Sequence, residues 1–198
     1  MPGPTGHAKR CITVGTPASA WRLMIDKFII QHIKNRTIAE APRQNKSQNF
    51  SLNDEELEAF TFMYARGVAV WNRFIDNCIA CYKPGPNITI DEQLFPSKAR
   101  CPITQFMASK PDKYGQKYWL AVDKENKYLV NGFPYVGKEE HRPIEERVAD
   151  YVIMRPMDPY LNKGRNVTTD NYFTSVNLAK QLKKKGTSII GTMNKIRR

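Results

Sequence analysis

Long apolar runs are missing from this chain. No stretch approaches the ~20 consecutive apolar residues that span a bilayer, and the opening Met1-Pro2-Gly3-Pro4-Thr5-Gly6-His7 does not read as a signal peptide. Together these absences predict an intracellular protein. Cysteine is scarce too. Cys11, Cys78, Cys81 and Cys101 do not make a disulfide framework in a chain of 198 residues. Cys78-Ile79-Ala80-Cys81 has the spacing of a zinc or redox pair, but no second close pair completes a tetrahedral site. It falls in a helix-like run from Trp71 to Tyr82, where cysteine serves as a small buried residue. Acidic charge is the third shortage: 19 Asp and Glu stand against 31 Lys and Arg, a formal net charge of +12. Residues 1–90 carry 11 basic against 7 acidic side chains and residues 91–198 carry 20 against 12, so the excess runs through sequence that should fold. A basic folded body suits a polyanionic partner, nucleic acid ahead of an anionic membrane. The plain alternative is that the charge only keeps the chain soluble.

What is present supports a real core. Hydrophobic residues make up 41% of the chain, and the length allows one ordinary domain with part of a second. Residues 1–16, rich in Gly, Pro and Thr, read as a disordered lead-in. Residues 17–87 read as helical. Trp21, Leu23, Met24, Phe28, Ile29 and Ile33 fall near helical spacing, with Ser19 as a cap. Residues 41–50 read as a polar linker. A helix opens at Ser51 with acids in its first turn and an apolar stripe through Leu57, Phe60, Thr61, Tyr64 and Val68. A further helical run through Phe74, Ile75 and Ile79 stops at Lys83-Pro84-Gly85-Pro86.

From residue 88 the period changes from helical to alternating. Ile88 to Leu94 reads as a strand, with Ile88, Ile90 and Leu94 on one face and Thr89, Asp91 and Gln93 on the other. Residues 116–123 and 128–135 read as a hairpin around Lys124-Glu125-Asn126. A helix over Glu145 to Ile153, a strand over Arg165 to Tyr172, a helix capped by Ser175 and ended by Gly186, and a strand over Thr187 to Met193 follow. Three strands, helix, strand, helix, strand make a mixed sheet, and the first of those helices can return the chain parallel to the first strand.

Two aspartates stand out in that order. Asp91 and Asp170 each end a short β-branched run, where Asp is depleted because it is costly to desolvate. Neighbouring strands lie about 4.8 Å apart, so a carboxylate on each can reach one divalent cation. The competing reading makes Asp91 a strand-end cap and Asp170 an Asx turn. Glu92 is set aside, because alternation turns it to the face opposite Asp91. Lys98, Arg100, Lys110, Lys113 and Lys117 follow the first strand, interleaved with Tyr114 and Tyr118. They can line a path for a DNA backbone, or form a solvated charged loop.

The words along the chain resemble the piggyBac transposases. They include Ile88-Thr89-Ile90-Asp91-Glu92-Gln93-Leu94, Lys98-Ala99-Arg100-Cys101 and Ser109-Lys110-Pro111-Asp112-Lys113-Tyr114-Gly115. Asn131-Gly132-Phe133-Pro134-Tyr135-Val136-Gly137-Lys138, Gly164-Arg165-Asn166-Val167-Thr168-Thr169-Asp170-Asn171-Tyr172-Phe173-Thr174-Ser175 and Gly191-Thr192-Met193-Asn194-Lys195 follow in order. The resemblance implies an α/β fold: an incomplete ribonuclease-H-like mixed sheet over residues 88–198, behind a partial helical dimerisation and DNA-binding region over 17–87. It implies cut-and-paste DNA transposition in the nucleus, with Asp91 and Asp170 as catalytic ligands of Mg²⁺. DNA is the implied partner, with a homodimer or a dimer with full-length relatives. Two departures stand against that pattern: a long helical stretch expected between Gly67 and Trp71 is missing, and no third acidic ligand appears before Arg198. The expectation is a truncated, internally deleted copy, inactive alone. The alternative is a domesticated DNA-binding or dimerisation module without catalysis.

Overall fold

The computed structural model describes residues 1–12, 17–45, 68–97, 103–137, 142 and 146–193. It divides into two compact units, Pro4–Tyr82 and Lys83–Arg198, the latter together with Met1–Gly3. That division falls a few residues ahead of the boundary expected at 87/88.

The described residues of the first unit are mainly helical: α1 (Gly6–Cys11), α2 (Pro17–Met24), α3 (Lys27–Asn45) and α4 (Val68–Cys81). The expected lead-in therefore carries a helix. Thr5 explains it, since its hydroxyl accepts from the Ala8 amide at 3.2 Å and donates to the Ala80 carbonyl at 2.6 Å. The single helical pattern expected from residue 17 is in fact two helices. Asp26 breaks it and caps α3, its Oδ1 accepting the Ile29 amide at 3.0 Å. Oδ2 accepts Arg73 Nε at 2.7 Å and Asn77 Nδ2 at 3.2 Å. Burial pulls the Asp26 carboxyl upward, but the Ile29 amide, Arg73 and Asn77 outweigh it and hold it below its ordinary value. Ser19 lies inside α2 and not at its start. Residues 41–45, expected as linker, continue α3, where Ala41, Arg43 and Gln44 are good helix formers. Ile29, Ile33 and Val70 form the core here, flanked by Ile25, Ile30 and Phe74. Cys78 and Cys81 are buried on α4 and neither is in a disulfide, which fits a structural role. The helix expected to open at Ser51 lies outside the described residues, as does Cys101. No described helix is long and apolar enough to cross a membrane.

The second unit is a mixed sheet with helices packed on it. Its strands are β1 (Asn87–Pro96), β2 (Gln105–Phe106), β3 (Tyr114–Asp123), β4 (Leu129–Pro134), β5 (Asn166–Thr169) and β6 (Ser188–Gly191). The order is β2-β3-β1-β5-β6, with β4 also paired to β3. β1 and β3 are antiparallel, with Ile90 opposite Ala121; β5 runs parallel to β1, and β6 parallel to β5. The parallel return is made by α5 (Val148–Met157), and α6 (Val176–Lys184) links β5 to β6. Both helices run close to their expected places. Ser175 caps α6 by accepting the Leu178 amide at 3.1 Å, and Gly186 at φ 57° takes the left-handed position beyond its end. The β3–β4 hairpin turns at Lys124-Glu125-Asn126 as expected. The buried Asp123 carboxylate accepts the amides of Glu125 at 2.9 Å, Asn126 at 3.1 Å and Gly85 at 2.7 Å. Ile88, Ile90, Val167, Val152, Ile153, Met157, Leu178 and Leu182 are fully enclosed. The opposite face of β1, β5 and β6, carrying Asn87, Thr89, Asp91, Asn166, Thr168, Ser188 and Ile190, is half-buried or exposed.

Candidate active site

Asp91 and Asp170 belong to neighbouring segments, β1 and the turn after β5. Thr89 lies opposite Thr168 in the parallel pair β1–β5. Asp91 and Asp170 each follow two residues later, Asp91 midway along β1 and Asp170 just past the end of β5. Both carboxylates are exposed, and neighbouring strands lie about 4.8 Å apart. Asp91 Oδ1 accepts the Glu92 amide at 2.8 Å. β5 ends at Thr169, so Asp170 lies just past the strand that was expected to include it. It opens an Asx turn, Oδ1 accepting the amides of Tyr172 at 3.0 Å and Phe173 at 3.4 Å. The Asx turn of the competing reading is therefore present at Asp170.

A second layer holds that turn. Thr174 donates through its hydroxyl and its amide to the Asp170 carbonyl, at 2.7 and 3.2 Å, and the Thr169 and Thr174 hydroxyls meet at 2.9 Å. Arg147, just ahead of α5, donates from Nη2 to the Phe173 carbonyl at 2.8 Å, and its Nε lies 3.2 Å from Asp150 Oδ1. Asp150 is 2% exposed and also accepts Asn177 Nδ2 at 3.2 Å and Ser175 Oγ at 3.5 Å. Sequence reasoning missed Asp150, because Val-Ala-Asp-Tyr-Val reads as an ordinary helix. The usable signal was an acid set among the apolar residues of a predicted helix.

Glu92 was the other omission. Alternation places it on the covered face, yet burial pushes its carboxyl upward, and the adjacent Asp91 carboxylate pushes the same way. Lys117 and Lys110 oppose that shift, and Lys110 Nζ lies 3.8 Å from Glu92 Oε1. Lys117 sits on the covered face opposite Leu94, with its ammonium 3.9 Å from the Trp119 ring centre. Burial lowers the Lys117 ammonium, and Glu92 counters it. The two strands' alternation, taken together, would have revealed Glu92 and Lys117 as neighbours.

The expected basic path is thus heterogeneous. Lys113 is exposed, whereas Lys110 and Lys117 are half-buried against Glu92 and Trp119. Lys98 and Arg100 lie outside the described residues. Of the interleaved tyrosines, Tyr114 is exposed and Tyr118 is buried edge-on against Phe95, ring centres 5.1 Å apart. Among the described residues no group of three or more His, Cys, Asp or Glu gathers as a metal cage. Asp91 and Asp170 each offer an exposed carboxylate, a hard oxygen donor of the kind that suits Mg²⁺.

Comparison with known proteins agrees with this architecture. The family model described as Transposase IS4 matches residues 64–198, more than half of the chain. A solved structure described as the piggyBac transposase synaptic complex with hairpin DNA, determined by cryo-EM, is similar at a TM-score of 0.82 and 24% identity. The match covers 100% of this chain and 54% of that one, so this chain spans about half of that relative's length. At that identity the likeness speaks for the fold, which is the ribonuclease-H-like core seen in the sheet order above. The family match and the fold point the same way: the chain belongs to the Transposase IS4 family and has the fold of a piggyBac transposase.

Proposed function

We propose that the acid end of the sheet is a metal-dependent site for DNA strand cleavage and transfer, with Asp91 and Asp170 as its first two ligands. The observation that supports this reading is the β1–β5 pairing, in which Thr89 lies opposite Thr168, two residues ahead of Asp91 and Asp170 respectively. Asp91 and Asp170 would hold Mg²⁺, which when bound activates the attacking oxygen and stabilises the leaving oxygen at phosphorus. The chain's own residues do the rest. The Asx turn and Thr174 fix the Asp170 backbone, Arg147 and Asp150 hold the turn, and Glu92 balances the ammonium groups beside Asp91. Lys113, with Lys110, Lys117, Lys98 and Arg100, supplies phosphate contacts that hold DNA without reading its sequence. DNA as the partner is supported by the net charge of +12 and by the hairpin DNA of the similar solved complex. Action on DNA in a nucleus belongs to the same proposal.

Two carboxylates do not complete a two-metal arrangement. These 198 residues alone therefore bind DNA and a divalent cation but do not complete transposition. The test is a supercoiled-plasmid nicking assay with Mg²⁺, run beside Mn²⁺ binding followed by electron paramagnetic resonance. Saturable Mn²⁺ binding that disappears in Asp91→Asn, without strand transfer, is the expected result. Robust cleavage lost in Asp91→Ala would overturn the claim of inactivity. Salt-sensitive DNA binding with no metal binding at all would favour the DNA-binding module.

A further inference from the structure

Three large aromatic side chains are exposed at one corner of the sheet: Phe95 at 45%, Phe106 at 57% and Tyr114 at 61%. They come from three strands, and pairing brings them together. Phe106 lies opposite Tyr114 in the β2–β3 pair, and Phe95 lies opposite Gln116 in the β1–β3 pair. Period-two alternation then places Phe95, Tyr114 and Phe106 on the same face of the sheet as Asp91 and Gln93. The Phe106 and Tyr114 ring centres are 5.0 Å apart, and Phe95 is fixed edge-on against the buried Tyr118. Lys113 precedes Tyr114 and is exposed. The loop that carries it is braced by the Met107 amide donating to the Lys113 carbonyl at 2.8 Å.

Exposed rings on a rigid strand edge are an unusual use of apolar area. The Phe106 and Tyr114 rings meet each other, and more than half of each residue stays open to solvent. Rings with open faces beside a lysine suit a base that has left its stack: the ring takes the base and the ammonium takes the phosphate. Phe95 stands four residues beyond Asp91 on one strand, about 13 Å along the same face. That is about four stacked base steps of one DNA strand.

We propose that Phe95, Phe106 and Tyr114 form a stacking shelf for an unpaired nucleobase of DNA held at the acid end, with Lys113 on its backbone. The inference rests on the DNA reading of that end and adds a requirement for single-stranded character that phosphate contacts alone do not impose. An aromatic ring accepts any base, so the shelf selects unpaired over paired DNA without reading sequence. Phe95, already locked against Tyr118, forms the fixed wall, and Phe106 with Tyr114 forms the open surface.

The test compares two DNA probes on the 198-residue chain: a blunt duplex, and the same duplex with a short 3′ overhang carrying 2-aminopurine. The shelf predicts overhang binding tighter by about fivefold to a hundredfold, the range expected for one stacked base, with quenching of the 2-aminopurine fluorescence. Phe106→Leu/Tyr114→Leu keeps apolar bulk but removes the rings, and should abolish the preference and the quenching while blunt-duplex affinity stays the same. Equal affinity of the unmodified chain for the two probes would overturn the shelf even if the variant failed to fold. Retained preference in the leucine variant would do the same. A dimer of the chain, detected by sedimentation and dissolved by the leucine variant, would give the corner to a second copy and overturn the shelf too. Loss of all salt-sensitive binding, blunt duplex included, would instead remove the DNA reading, and the shelf with it.

Discussion

Arg147 Nη2 donates to the Phe173 carbonyl at 2.8 Å, so the residue ahead of α5 grips the turn that Asp170 opens. The grip is stiffened from beneath, where the buried Asp150 binds Arg147, Ser175 and Asn177 at once. A helix that makes the crossover between parallel strands therefore also positions a site residue it does not carry.

Asp150→Ala removes the acceptor that satisfies those three donors. Breaking a buried pair from one side is expensive, and the expected loss is about 3 kcal/mol, read by urea denaturation at neutral pH. Asp150→Asn keeps the shape and part of the hydrogen bonding, and should lose less. Equal stability of the alanine variant and the unmodified chain would show that the network does not hold the turn.

Asp91→Asn and Asp170→Asn should each weaken Mn²⁺ binding by at least tenfold, because each removes one of two charged donors. Neither should cost more than about 1 kcal/mol of stability in the metal-free chain, since both carboxylates are exposed. Calorimetric titration with Mn²⁺ and a thermal melt of the same samples measure both quantities. An unchanged titration in either variant would separate that residue from the metal.

The lysines should not contribute equally. Removing one ammonium from a DNA phosphate makes the slope of log affinity against log salt shallower by about 0.9. Lys113→Gln should approach that value, because its ammonium is exposed. Lys117→Gln should change the slope less, because its ammonium sits over Trp119 in a half-buried site. Fluorescence anisotropy with a duplex over a range of KCl gives the slopes. A triple Lys110→Gln/Lys113→Gln/Lys117→Gln chain with an unchanged slope would remove DNA from this end of the sheet.

Asp26 makes the helical unit sensitive to acid. Its folded-state carboxyl lies below the ordinary value, so the native state binds the proton less readily than the unfolded chain does. The stabilisation is fully present above the unfolded pKa of about 3.9 and is lost as pH falls through the lower folded value. Asp26→Asn should therefore be less stable than the unmodified chain at pH 6, and the gap should close below about pH 4. A gap that stays constant from pH 6 to pH 3 would mean that the ionised carboxylate plays no part.

Much of the sheet could be read in the sequence because its strands alternate cleanly. Ile88, Ile90 and Leu94 face the core, and the hairpin turn at Lys124-Glu125-Asn126 falls where polar residues separate two runs rich in aromatic and apolar side chains. Ser175 and Gly186 mark both ends of α6 by chemistry that acts locally. Features set by distant partners were not legible. Asp26 splits a continuous apolar stripe because Arg73 and Asn77, far along the chain, reward its position. The alternation of one strand says little about Glu92, because its environment is set by Lys117 on the next strand and Lys110 in the loop between them. Asp91 and Asp170 stand out as a pair, but the Asx turn and its Arg147 brace depend on α5, whose packing no local pattern encodes.

The β1–β5 pair has one more consequence, in time instead of space. The side chains of Asn87 and Asn166 meet on its first described rung although 79 residues separate them. Local structure, including the β1–β3–β4 meander, can form before that rung closes, whereas the acid pair cannot. Long-range parallel pairing is slow to form, so a chain still folding carries Asp91 without its neighbour. A cation that binds the finished pair and not the open chain would pull the late step forward by mass action. Divalent metal would then act first as a clasp on the crossover, before any strand of DNA arrives.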